Sequence, residues 1–437
     1  MDFSEVYRHC GPAPKYSPDG RYLATVVDYR LVVRDVDTLQ VVQLFSCLDM
    51  IEHVEWACDS DHILCALYKR AIVQAWCVSE PDWTCKIDEG PAGITHAQWA
   101  PDGKSILSTA DFQIRFTVWS LVSKSCIYIK APKFAGPRGI SFTRDGKFMA
   151  LAERRDCRDA ISIFRCNGWE VAAHFPLDTT DMSDMAWSPD GSTIAVWDTA
   201  LDYRLLVYAI DGRLLHKFSA YDNALGIKSV SWSPSGQLLA VGSFDQHARV
   251  LNNITWKPFA EFSHTTPIRE TAARAVVYEE EVEPAPPPGA DEDAPEDLSR
   301  YLVSELPVTI PEKPCDVQKP NPKQGVGMVN WSHDSAYLMT RNENMPTTLW
   351  IWDTKRLELA AVLIQKDPIK SAAWDPHRNR VAMCTGGKRV YVWAPEGASC
   401  IHIPLGTFRA NGLQWNPSGT AFALCDKDSF CCAFLGT

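Results

Sequence analysis

Nine copies of one short pattern set the frame for this chain. The fullest copy is Ala186–Trp197, AWSPDGSTIAVW: an aromatic residue, a Ser-Pro-Asp-Gly turn and, two residues on, a small apolar run. The aromatic positions are Tyr16, Trp56, Trp99, Phe142, Trp187, Trp232, Trp331, Trp374 and Trp415. Successive steps are 40, 43, 43, 45, 45, 99, 43 and 41 residues, so one period holds everywhere except across the step of 99. A repeat of roughly 40–45 residues built from short strands is the signature of a β-propeller, with one four-stranded blade per repeat. Proline presets φ in the turn and glycine accepts positive φ. Before the turn, Val230 and Trp232 alternate with Ser229 and Ser231, which is the period of a strand. One such unit cannot bury its apolar face alone, whereas stacked neighbours can.

The predicted fold class is therefore all-β, a single nine-bladed propeller. Each repeat reads as strand a up to the aromatic, the turn, strand b, then strands c and d. After Trp415 only strand b (Phe422–Cys425) and strand c (Phe430–Phe434) remain. The orphan segment Asp2–His9 is predicted to supply the missing d strand, so that the ring closes through its termini and leaves no open sheet edge. The alternatives are a smaller ring with degenerate units outside it, or two partial propellers. The expected domains are 1–264 (blades one to six), an insertion over 265–325, and 326–437 (blades seven to nine). Within the insertion, Glu279–Asp297 holds nine acidic residues, five prolines and no Lys or Arg. Such a segment buries too little apolar surface to offset its ordering entropy, so disorder is expected around 281–297. Ala275–Tyr278 and Tyr301–Ile310 flank it and are candidates for an extra hairpin.

Composition excludes several function classes. A net charge of −11 argues against a phosphate-binding surface and against adhesion to anionic lipid, so neither nucleic acid nor membrane is an expected partner. No run of 18 apolar residues offers a membrane-spanning helix, and the first residues, MDFSEVYRHCG, lack the apolar stretch of a secretory signal. The fifteen cysteines are scattered, without a C-x-x-C pair, and read as reduced thiols of a cytosolic protein; no metal site is expected from their spacing. G-x-S-x-G, G-x-x-x-x-G-K-[ST] and H-E-x-x-H are all absent. Asp19, Asp102 and Asp190 recur in the turns, where their carboxylates should cap nearby backbone N–H groups; no catalytic residue is expected.

The repeats resemble WD40 units. A Trp-Asp pair closes strand c only at Trp352-Asp353, while Trp197-Asp198 falls in strand b. The Gly-His pair that usually opens a WD40 repeat is missing throughout, so the usual internal hydrogen-bond relay is not expected. The ordered set MDFSEVYRHCG, YSPDGRYLATVVDYRLVVRD, AWSPDGSTIAVWDT, SVSWSPSGQLLAVGSFDQ and FALCDKDSF resembles the WRAP-type WD-repeat family of centrosomes and spindle poles, encoded antisense to a tumour-suppressor-family gene. That resemblance spans essentially the full chain. It implies a non-enzymatic, cofactor-free scaffold in the cytoplasm and cytoskeleton, at centrosomes, centriolar satellites and spindle poles. It implies a coiled-coil partner, the synovial-sarcoma-X-breakpoint-interacting protein, through which microtubule minus ends are anchored, with consequences for the mitotic spindle and cilium assembly. The acidic balance fits an indirect hold on microtubules. The alternative is a nine-bladed translation initiation factor, against which the thin supply of basic clusters counts.

Three features are candidate partner contacts. Arg154, Arg155 and Arg158 form the one compact basic cluster, in the b–c turn region of blade four, either a solvated loop or a docking point for an acidic segment. Trp197 and Asp198 stand where blade six has Gly242 and Ser243; the bulky ring either fills a gap or is a partly exposed anchor. Trp352 and Asp353 complete the candidate set.

Overall fold

The computed structural model describes residues 1–269, 275–282, 299–316, 318–319 and 321–436. Most of the acidic stretch expected to be disordered lies outside these residues. The fold is an all-β propeller of nine blades, one sheet for each copy of the repeat. The chain divides into two compact units, residues 8–224 with blades one to five, and residues 1–7 with 225–437, which hold blades six to nine.

In residues 8–224 every sheet runs a-b-c-d with antiparallel neighbours, as in Met182–Trp187, Thr193–Asp198, Leu205–Ala209 and Leu214–Phe218 of blade five. The a–b turns form as their sequence dictates. Gly20, Gly103 and Gly191 take φ of 76°, 62° and 71°. Asp19, Asp102 and Asp190 accept the N–H groups of Arg21, Lys104 and Ser192 at 3.0, 2.8 and 3.2 Å, which is the turn role expected of them. Blade two has Ser60 in the glycine position at φ 62°. A left-handed non-glycine residue costs about 1–2 kcal/mol. Here the serine hydroxyl accepts the N–H of Asp19 in the neighbouring turn at 3.0 Å, a bond that glycine cannot make.

The cores lie between adjacent blades. Between blades two and three, Leu64, Ala66, Val73 and Ala75 meet Ala97, Trp99 and Ile106. Between four and five, Ala150, Ile161 and Ile163 meet Met185, Trp187 and Val196. The repeat aromatics sit at these seams. The indole N–H groups of Trp56, Trp99 and Trp187 donate to the carbonyls of Lys15, Glu55 and Ser141 in the preceding strand a, at 2.9, 3.2 and 3.1 Å.

The same rule runs through residues 225–437, where Trp331, Trp374 and Trp415 donate to Ser231, Asn330 and Ala373 carbonyls, each at 3.0 Å. Blade nine takes its strands a to c from Gly412–Trp415, Ala421–Cys425 and Ser429–Phe434. Its outer position is filled by Asp2–Phe3, antiparallel to Ser429–Phe434 with Asp2 opposite Phe434. Ser4 locks the junction: its N–H donates to the Cys432 carbonyl and its hydroxyl accepts the Cys432 N–H, both at 2.9 Å.

Blade seven departs from the repeat. Val276–Val282 and Ser299–Ser304 pair as an antiparallel hairpin, and Val276–Val282 lies parallel to strand d, Glu358–Ile364, giving a six-stranded sheet. Glu281 and Val282, expected to be disordered, are therefore strand. The acidic count of the segment was misleading, because Glu280 is not a solvated charge. It is 1% exposed and accepts bonds from Arg389 Nη1 at 2.9 Å, Tyr391 Oη at 2.8 Å and the Lys366 N–H at 2.9 Å.

Candidate partner-binding surface

Strands b and c of blade four, Phe148–Arg155 and Arg158–Arg165, are eight residues each and meet at a two-residue turn, Asp156-Cys157, both with positive φ. That conformation matches strand twist in a tight hairpin. It sets Arg155 opposite Arg158 and Arg154 opposite Asp159. Strand b of blade five, Thr193–Asp198, ends at the same side of its sheet and carries Trp197 and Asp198.

A mixed-charge network ties these two blade ends together. Lys133 Nζ donates to Asp159 Oδ2 at 2.9 Å and to Asp181 Oδ1 at 2.8 Å, and Arg154 Nη1 bonds Asp181 Oδ1 as well. Asp159 Oδ2 also accepts the Met182 N–H at 2.7 Å. Asp198 accepts the N–H groups of Thr180 at 3.3 Å and Asp181 at 3.2 Å. Burial disfavours ionisation of Asp181, but the bonds from Lys133 and Arg154 outweigh it and hold the carboxyl below its ordinary range. At Asp198 burial dominates and raises the carboxyl despite the Thr180 N–H.

This geometry separates the candidate residues. Asp198 is 1% exposed and caps backbone, so it is a framework residue and no surface anchor. Arg154 is committed to the network. Arg155 and Arg158 are exposed, and Trp197 is half-buried. The b–c turns of the flanking blades carry exposed apolar side chains that periodicity did not flag: Phe112 (90% exposed) and Ile114 in blade three, and Leu201 (80% exposed) in blade five. Phe112 holds φ 56°, an uncommon conformation for a bulky residue. No sequence pattern marks a lone apolar residue in a turn.

Trp352 and Asp353 lie at the other end of a sheet, closing strand c of blade seven (Thr348–Asp353), where Asp353 sits opposite the first residue of strand b. Trp352 is 5% exposed and stacks on Phe262 with ring centroids 4.6 Å apart, so it is core and not a partner contact. Asp353 caps the c–d turn through the N–H groups of Lys355 and Arg356, both at 2.9 Å.

Trp352 also corrects the expectation about the relay. Its Nε1–H donates to Thr340 Oγ1 at 2.8 Å, Thr340 Oγ1 lies 2.7 Å from His264 Nε2, and His264 Nδ1 lies 2.8 Å from the Gln246 carbonyl. A carbonyl only accepts, so Nδ1 carries the proton and Nε2 takes the threonine hydroxyl. A Ser-His pair, Ser263-His264, thus serves where Gly-His was sought. Blade three uses other groups for a similar end: Trp119 Nε1 and Ser108 Oγ both donate to Glu89 Oε1, at 3.0 and 2.7 Å.

Comparison with known proteins agrees with this architecture. Residues 212–252 match the WD domain, G-beta repeat family. The chain is 48% identical over 448 residues to the mouse (Mus musculus) WD repeat-containing protein WRAP73, covering all of this chain and 96% of that protein. It is 21% identical over 470 residues to an uncharacterised WD repeat-containing protein of Schizosaccharomyces pombe, covering all of this chain and 93% of that one. The crystal structure of the C-terminal WD40 domain of Sif2 superposes with a TM-score of 0.54 at 12% identity, over 99% of both chains, a likeness of fold alone. With the repeat, the blades and a full-length relative all in agreement, the chain belongs to the WRAP-type family of WD-repeat propeller proteins.

Proposed function

We propose that this protein is the WD-repeat scaffold of a centrosomal and spindle-pole complex, which anchors microtubule minus ends through a coiled-coil partner. The role is non-enzymatic: the protein holds a partner and performs no chemistry. WD-repeat propellers are interaction modules, and full-length kinship to a WRAP-type protein supports the placement in this complex. The net charge of −11 supports an indirect hold on acidic tubulin, with the coiled coil as the bridge.

The observation that carries the reading is the pairing of exposed Phe112 and Leu201 with exposed Arg155 and Arg158 on the b–c turns of blades three to five. An amphipathic helix carrying acidic residues beside its apolar stripe meets both needs. The test is capture of the synovial-sarcoma-X-breakpoint-interacting protein by the full chain, with localisation at centriolar satellites and spindle poles read in parallel. Phe112→Ser with Leu201→Ser, and separately Arg155→Glu with Arg158→Glu, should each weaken capture by tenfold or more, about 1.4 kcal/mol, while circular dichroism stays unchanged. Undiminished capture by both folded variants removes this surface from the reading. Co-sedimentation of the chain with ribosomes at low salt would favour the initiation-factor alternative.

A further inference from the structure

Blade two brings together three donor side chains of the kinds that borderline transition metals take. His62 opens strand b (His62–Leu67) and lies directly opposite Cys77, the last residue of strand c (Ile72–Cys77); Asp61 precedes His62. A carboxylate oxygen of Asp61, a ring nitrogen of His62 and Sγ of Cys77 all lie within 4.8 Å of one another. Asp61 Oδ2 and Cys77 Sγ are 3.3 Å apart. In a tetrahedral zinc site, bonds of about 2.3 Å to sulfur and about 2.0 Å to oxygen put those two atoms about 3.5 Å apart, so little movement is needed.

The surroundings supply an outer shell for each donor. Asp61 Oδ1 accepts the N–H and the hydroxyl of Ser79, at 2.9 and 2.8 Å, leaving Oδ2 turned toward the thiol. Cys77 Sγ receives the Glu80 N–H at 3.4 Å. His62 Nδ1 lies 2.7 Å from Asp59 Oδ2. That carboxylate accepts the Nδ1–H bond, which keeps the ring proton on Nδ1 and the lone pair on Nε2, the carboxylate–histidine arrangement that recurs behind metal-bound imidazoles. The edge contact with Trp83, centroids 4.7 Å apart, restrains the ring. Cys77 is buried, whereas Asp61 and His62 are half-exposed, so solvent reaches the open side of the cluster.

We propose that Asp61, His62 and Cys77 bind one zinc-type divalent ion, with water as the fourth ligand. The Cys/His/carboxylate donor set selects zinc over calcium or magnesium, which take oxygen ligands. On binding, the Cys77 S–H bond breaks, its proton leaves to solvent and the thiolate bonds the ion. The ion ties the end of strand c to the turn that begins strand b. This inference concerns blade two alone and stands apart from the partner surface on blades three to five.

The test uses the full chain, stripped with a chelator and titrated with Co(II), then with Zn(II). One equivalent of cobalt should give a thiolate-to-metal charge-transfer band and the visible absorption of a four-coordinate ion, both bleached by zinc. Cys77→Ala should abolish them and Cys85→Ala should leave them. Asp61→Asn, which keeps an oxygen for Ser79, should weaken binding in the same way and serves if Cys77→Ala does not fold. Asp59→Asn changes none of the three ligands but alters the group that holds the His62 ring. Its amide N–H would face Nδ1, move the ring proton to Nε2 and lower affinity by about 10–100-fold. A native protein without the charge-transfer band, or folded ligand variants that retain it, overturns the site.

Discussion

Glu280→Ala should destabilise blades seven and eight by about 3–5 kcal/mol, the usual cost of removing one member of a buried ion pair. The hairpin strand that carries Glu280 hydrogen-bonds to blade seven, but the Glu280 carboxylate reaches across to Arg389 and Tyr391 in strand c of blade eight (Arg389–Ala394). Truncation removes the buried carboxylate that both the largely buried Arg389 guanidinium and the Tyr391 hydroxyl bond. Glu280→Gln keeps an acceptor for one of these donors but loses the charge, and should cost about 1–3 kcal/mol. Replacing both members, Glu280→Met with Arg389→Met, should recover much of the loss, because an apolar pair in a buried site often matches an ion pair. Urea unfolding gives the magnitude, and hydrogen exchange resolved by peptide gives the place: amides of 276–282 and 389–394 should lose protection first. An unchanged urea midpoint with unchanged protection in Glu280→Ala would refute the reasoning. It would mean that main-chain pairing alone holds the hairpin.

Three further outcomes are expected. Trp331→Ala should cost about 3–5 kcal/mol through the cavity between blades six and seven and the orphaned Ser231 carbonyl, read as a fall in melting temperature; a soluble variant that melts like the parent would show that the seam does not depend on the indole. Removing residues 1–6 should uncover strand Ser429–Phe434, lower stability and promote aggregation on light scattering, whereas equal melting would rule out a structural part for Asp2–Phe3. Burial pushes His264 down to about 4 from an ordinary 6.5, so the unfolded chain takes up the proton first as pH falls. Its contribution is complete above about pH 6.5 and is lost progressively toward pH 4, by about 3 kcal/mol at the limit. His264→Gln should flatten that part of the stability profile, and an unchanged slope between pH 7 and 5 would remove His264 as its source.

The blades were legible in the sequence because each repeats one local device, an aromatic before a turn that needs positive φ, and local devices leave a period. Trp197 was visible for the opposite reason, as a break in that period. What stayed hidden is non-local. Lys133, Asp159 and Asp181 meet across 26 and 48 residues, with no spacing rule to announce them. His264 and Thr340 are 76 residues apart because the insertion separates them, and a search for Gly-His passes over Ser263-His264. Cysteine spacing is blind to the blade-two cluster, because there Cys77 faces His62 across a strand pair with Asp61 beside it. The burial of Glu280 was hidden because composition assigns a charge run to solvent, while its burial depends on Arg389, 109 residues downstream.

The pairing of Asp2–Phe3 with Ser429–Phe434 has a consequence for how the protein is made. More than 420 residues separate the two halves of one sheet. At roughly 5–20 residues per second of synthesis, the first strand waits tens of seconds for its partner. During that interval blade nine does not exist and the early strand is an unpaired edge on a growing chain. A contact of such large sequence separation is among the slowest to form. Blade nine therefore cannot be completed until residues 429–434 have been made, and until then a nascent chain is exposed to chaperones, or to mispairing with a neighbour on the same message.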